Sequence, residues 1–350
     1  MGLREISVVY VCTVVEMSVL VGAIIINRMD SRENVYIDCV PNIDEHLKVK
    51  VNKTGMKKEV SKTVDEFSET MIKNEIDLSE FYRKINFTRI VYISNTEGFY
   101  DPLEGNLVVD PNRIRESLLR ALLEMSATRT FQKTDSRTMV ASGFERTVYD
   151  KNYWPEQINH IGYGLSQGYK DILLARYFGL EGRYTRLSEL ATLIEDIIGK
   201  KLMVKSFMMG DLGSIKSSLY GWQKPAKEAV LTLIKMDNLY DAVYLDDPFR
   251  KIGISFTYRD LVIELSKLAI DQAKYYYNQG RTLYEMRDAS QVPAKGSTIV
   301  EDILAHVNGI LQTRKKQPLL LGLKPKDIKE IAEHSEKRFE YLPSKYHLKG

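Results

Sequence analysis

The side chains that bind metals or attack substrates are scattered along this chain rather than clustered. Five histidines occur, His46, His160, His306, His334 and His347, and no two lie three or four residues apart. A His-x-x-x-His pair on one helix face is therefore absent, as are an EF-hand loop and a phosphate-binding Gly-Lys-Ser/Thr element. Cys12 and Cys39 are the only two cysteines. They make neither a dense disulfide framework nor a thiolate zinc site, which takes about four ligands. Ser126 and Ser166 are nominal nucleophiles with no base in their local pattern. Asp246-Asp247 ahead of Pro248 reads as a turn before it reads as a cation site. Arg120 and Glu124 stand at i and i+4, where both side chains share a helix face. Their plain reading is an exposed helical ion pair, and that of Gln167 is a polar residue near a helix start.

The elements that position these residues follow from periodicity. Residues 35–38 and 47–51 read as short strands, the second from strict alternation. Residues 62–84 read as one helix with Val64, Phe67, Met71 and Ile72 on its apolar stripe. Residues 88–94 and 107–109 read as strands, joined by a loop holding Gly98, Pro102 and Gly105. Asp110-Pro111 suits a helix start that continues to about Thr128, with Ile114, Leu118 and Met125 facing the core. Residues 129–157 read as irregular, punctuated by Gly143 and Pro155. A second helix is expected over 165–177. Further helices are expected over 186–199, 201–209, 224–236, 259–279, 297–311 and 325–339, with a short hairpin near 253–257 and a break at 290–297. Tyr275-Tyr276-Tyr277, inside one long helix, must present rings to more than one face, a pointer to a partner surface.

Composition bounds the class. The chain has 350 residues, 44% of them hydrophobic, enough for a full core. Fifty basic and 47 acidic residues give a net charge of +3, with signs mixed along the chain. That excludes the concentrated positive field of a dedicated nucleic-acid binder. Residues 6–27 are almost wholly apolar and long enough to cross a bilayer, but Glu16 sits near their middle. A single-pass anchor and a buried strand or helix segment both fit, so the chain is expected to be cytoplasmic or membrane-anchored. Arg4 on one side and Arg28 and Arg32 on the other do not fix an orientation. The expected organisation is an apolar segment at 1–28, an α/β part at 29–130 and a mainly helical part at 131–350.

A strand, an edge strand, a long helix and a second helix is the order used by gluzincin-type metallopeptidases. Arg120-Ala121-Leu122-Leu123-Glu124-Met125-Ser126 resembles their active helix His-Glu-Leu-Leu-His-Met-Ala. Gly164-Leu165-Ser166-Gln167-Gly168-Tyr169 resembles the helix that carries the third zinc ligand. The chain is similar, over about residues 85–235, to zincin-like proteins of Gram-positive bacteria and their mobile elements. The resemblance implies an α+β zincin-like fold: a small N-terminal sheet, an active-site-type helix and a mainly helical C-terminal part. It also marks what has been lost. Arg120 and Glu124 stand at the two histidine positions, Ala121 replaces the general base and Gln167 replaces the glutamate ligand.

Arginine offers five donors and no acceptor, so Arg120 repels a cation. Gln167 coordinates weakly at best, and Ala121 takes no proton from water; a missing general base costs around 10²–10⁴-fold. No catalytic residue, metal or cofactor is expected. Arg120 is expected to reach toward Glu124 and Gln167 and fill the space of a zinc ion, with His160 as a possible cleft residue. The implied function is an inactive scaffold that binds a protein or extended peptide, on an edge strand near residues 107–109. The alternatives are a hydrolase with atypical ligands and a membrane-tethered structural component of a mobile element.

Overall fold

The computed structural model describes residues 35–36, 51–53, 55–134, 137–150, 157–219, 226–244, 254–278 and 325–339. The apolar run 6–27, the cysteines, Asp246-Asp247, and the expected helix 297–311 and break 290–297 lie outside these residues. So do most of the expected strand 47–51 and the second half of 35–38.

The class is α+β. In order come β1 (Val35–Tyr36), α1 (Lys58–Lys73), α2 (Ser79–Ile85), β2 (Arg89–Tyr92), β3 (Phe99–Asp101), β4 (Asn106–Val109) and α3 (Ile114–Ala127). Then follow β5 (Thr128–Thr134), β6 (Arg137–Ser142), β7 (Glu145–Asp150), β8 (Gln157–Ile161) and α4 (Tyr163–Phe178). The remaining helices are α5 (Thr185–Ile198), α6 (Lys200–Met208), α7 (Leu212–Leu219), α8 (Ala226–Tyr244), α9 (Ile254–Asn278) and α10 (Pro325–Phe339). The chain divides into two compact units. One runs through Arg183 and takes in Lys205–Ser214; the other holds Tyr184–Val204 and Ile215 onward.

In the first unit α3 is the central element. All but three of its fourteen residues are buried, the charged Arg120 among them. A three-stranded sheet in the order β2-β4-β3 packs on it, with β2 parallel and β3 antiparallel to β4. Gly98 explains how close β3 comes. Its φ is +86°, and a Cβ there would lie 2.0 Å from the Ser117 carbonyl oxygen of α3. Only glycine permits both. A second sheet, antiparallel throughout in the order β1-β5-β6-β7-β8, grows out of the end of α3 and leads into α4. Phe144, Tyr169 and Phe207 meet with ring centroids 5.4–5.7 Å apart, fastening the β6–β7 turn to α4.

Several expectations change. Residues 129–157, expected to be irregular, hold β5, β6, β7 and the start of β8. The end of β6 is buried on both faces, from Met139 to Ser142, which erases the period-2 signal of a half-exposed strand. The single helix expected over 62–84 is α1 and α2. Between them Glu75 adopts φ +56°, and Asp77 Oδ1 accepts the Ser79 N–H at 2.9 Å, restarting the helix. Asp110 does not cap α3. It folds into a turn by accepting the Asn112 N–H at 2.9 Å, so α3 begins three residues later than the Pro111 start, at Ile114. The loop around Gly98 contains β3, and β4 is the middle strand, so residues 107–109 are not an edge. Residues 254–257 open α9 and form no hairpin, and α7 was not foreseen.

In the second unit α9 packs against α5, α8 and α10. Arg259 holds the buried Asp327 of α10 through two hydrogen bonds of 2.7 Å each. Among the described residues no helix is long and apolar enough to cross a membrane.

Gly98→Ala is expected to cost about 2 kcal/mol or more, from the strained φ and the collision with α3. Gly105→Ala, also at positive φ but with open space around it, should cost less. Urea unfolding of both variants checks the order.

Candidate functional site

The residues singled out in the sequence lie along the seam between α3 and α4, and the fold pairs them differently from the expectation. Arg120 is 1% exposed and points across the seam. Its Nη1 donates to Asp171 Oδ1 at 2.7 Å, and its Nη2 to the Glu181 carbonyl at 3.4 Å. Asp171, also 1% exposed, uses its other oxygen to accept the Arg183 N–H at 2.5 Å. Arg183 in turn places its guanidinium on Glu116, at 2.6 and 3.2 Å, and near Glu97. Glu116 Oε1 lies 3.7 Å from Arg120 Nε, which itself has no hydrogen-bond partner. Arg120 is thus neither the exposed half of a helical pair nor a neighbour bonded to Glu124.

One turn further along α3, Glu124 meets a different cation. Lys170 Nζ of α4 sits 3.2 Å from Glu124 Oε2, and Lys170 is buried. Two ion pairs of opposite sense, Arg120–Asp171 and Glu124–Lys170, therefore bridge the same two helices. The reversal follows from sequence: α3 offers a cation then an anion four residues apart, while α4 offers the adjacent Lys170 and Asp171.

Glu145, the first residue of β7, joins this cluster. Thr147 Oγ1 donates to its Oε1 at 2.6 Å. Burial pushes its carboxyl up to about 7; Thr147 opposes this, Glu124 adds to it, and Lys170 and Arg146 pull the other way. Tyr149, two residues along β7, is pushed up to about 12 by burial and by Glu145, Asp101 and Glu124.

Gln167 lies on α4, one turn before Lys170 and Asp171, and is 6% exposed. Its Oε1 is buried with no hydrogen-bond partner. Ser166 donates to the Ser142 carbonyl at 3.0 Å, and Ser126 to the Leu122 carbonyl at 2.7 Å, so both hydroxyls are engaged in backbone bonds. Ala121 is wholly buried. His160 is on β8, in register with Thr147 of β7.

The donor set does not suit a divalent ion. Zinc needs converging lone pairs with one position open. Here two cations stand between the helices, and each is satisfied by a carboxylate. Among the described residues no group of three or more His, Cys, Asp or Glu side chains could hold a metal. Asp171, Lys170 and Glu145 were missed from the sequence. A signal existed for Asp171: it is an acid four residues after Gln167, on a helix whose neighbours are Leu173 and Leu174. Glu145 had none, because the strand that carries it was read as loop.

Comparison with protein-family models, curated proteins and solved structures finds no match to this chain.

Breaking one half of the inner pair leaves a lone buried charge. Asp171→Ala is expected to cost about 3–5 kcal/mol, and the double change Arg120→Met with Asp171→Leu considerably less. Chemical denaturation of both variants tests the ordering; equal losses would refute it. Glu145 supplies a pH dependence. Its folded pKa lies above the usual carboxylate value, so its contribution to stability is full below about 4.5 and is lost as pH rises through about 7. Glu145→Gln should flatten the fall in melting temperature over that window.

Proposed function

We propose that this protein is a zincin-like scaffold without catalysis, which binds a protein or an extended peptide. What supports the reading most is the pair of bridges Arg120–Asp171 and Glu124–Lys170 across the α3–α4 seam. The α3 ends of those bridges are the residues that stand where the resemblance puts the first two zinc ligands. A cation carried by the chain takes the structural part of the ion, tying two helices together without an open coordination position. Ala121, buried and without a polar group, leaves no base at its position. The α+β architecture, with a small sheet packed on α3, is compatible with the family resemblance, and the binding role rests on that analogy.

A hydrolytic reading keeps one observation in its favour. The Glu145 carboxyl at about 7 lies where a general acid or base works best near neutral pH.

Metal analysis of the freshly purified full chain, with a peptidase assay on the same sample, separates the readings. The scaffold predicts substoichiometric zinc and no turnover. Stoichiometric zinc, or turnover lost in Glu145→Gln, would overturn it.

A further inference from the structure

The small sheet has one edge that nothing in the chemistry above uses. Among the described residues β2 pairs with β4 on one side only. Arg89 N–H donates to the Gly105 carbonyl at 3.2 Å and Ile93 N–H to the Val109 carbonyl at 3.0 Å. In a parallel ladder alternate residues address the same neighbour. Ile90 and Tyr92 therefore turn their N–H and C=O groups away from β4. The side chains of the same strand are open as well. Val91 is 37% exposed and Ile93 48%, with Phe87 at 54% just before the strand. Across the sheet Val91 and Phe99 flank Val108; Phe99 is 42% exposed, while Val108 between them is buried.

Two cations frame this edge. Arg89 opens the strand, exposed, with no carboxylate partner among the described residues. Lys57 lies over the Tyr92 ring, 4.2 Å from its centroid, and likewise has no carboxylate partner there. Glu59 is near enough to act on the Tyr92 phenol, so the two cations leave a positive excess at the edge rather than an unopposed field. With backbone groups in extended geometry and exposed apolar side chains, that excess favours one kind of occupant.

We propose that the edge of β2 left unpaired by the described residues is a docking lane for an extended apolar peptide segment with acidic flanks, the partner that the scaffold reading calls for. The segment adds a strand to the sheet through Ile90 and Tyr92. It lays alternate side chains beside Val91 and Ile93, and presents carboxylates to Arg89 and Lys57.

Amide exchange at Ile90 and Tyr92 tests this on the full chain. It is measured alone and with a labelled eight-residue peptide of alternating valine and threonine ending in two aspartates. The peptide should slow exchange at both positions. It should also bind about tenfold more tightly than a twin ending in two lysines, and Arg89→Glu with Lys57→Glu should invert that preference. Tyr92→Pro removes an outward N–H without touching the β4 ladder, and should abolish binding while the fold is kept.

Equal affinity for the two peptides, or binding without protection at Ile90 and Tyr92, overturns the proposal. So does slow exchange before any peptide is added. Protection that grows with protein concentration would assign the edge to a second copy, and protection independent of concentration to the chain's own remaining residues. Zinc content of the same sample keeps the two failures apart. Bound zinc sinks the scaffold reading, whereas unprotected amides in zinc-free protein sink the docking lane alone.

Discussion

The first unit turns on one buried ion pair. Arg120 and Asp171 face each other across the α3–α4 seam at 2.7 Å, each almost inaccessible to water. Removing both charges from water is expensive, and their attraction offsets that cost only where the remaining hydrogen-bonding capacity is met. Asp171 meets it with the Arg183 N–H; Arg120 meets it only in part, through the Glu181 carbonyl, its Nε having no hydrogen-bond partner. The pair therefore fixes more than two helices. It draws the segment after α4 back over the seam, through the Arg183 N–H and the Glu181 carbonyl. Arg183 extends the same network to Glu116 on the first turn of α3.

The second bridge works in a more polar setting. Glu124 keeps part of its surface open to water, and Lys170 lies near two carboxylates, those of Glu124 and Glu145. Burial is the main reason the Glu145 carboxyl rises to about 7; Glu124 adds to the rise, while Thr147, Lys170 and Arg146 oppose it. Gln167 adds an unsatisfied acceptor to the same seam. Such groups are exceptional in a folded interior.

Much of the fold was legible. The helices at 163–178, 185–198, 200–208 and 325–339 match their expected spans within two residues, because each carries a continuous apolar stripe. Legibility failed where one signal masked another. The end of β6 is buried on both faces and so showed no alternation. Asn74 and Asp77 offered local hydrogen bonds that interrupt an apolar stripe without altering it, which hid the boundary between α1 and α2. The candidate site was legible in its residues and illegible in its pairings. Arg120, Glu124 and Gln167 do lie on the facing helices, yet the arginine crosses to Asp171 rather than turning to Glu124.

The sequence alone determined residue chemistry: a guanidinium, a methyl group, a carboxylate and an amide at four positions, and the loss of acceptors that this entails. It also determined several of the helices, since helical hydrogen bonds and the apolar stripe are local properties. Tertiary structure decided which charge meets which. An ion pair depends on the distance between residues about fifty positions apart, and no local pattern encodes that distance. Packing of α4 against α3 brought Lys170 and Asp171 into reach together and turned an apparent i,i+4 pair into two bridges of opposite polarity.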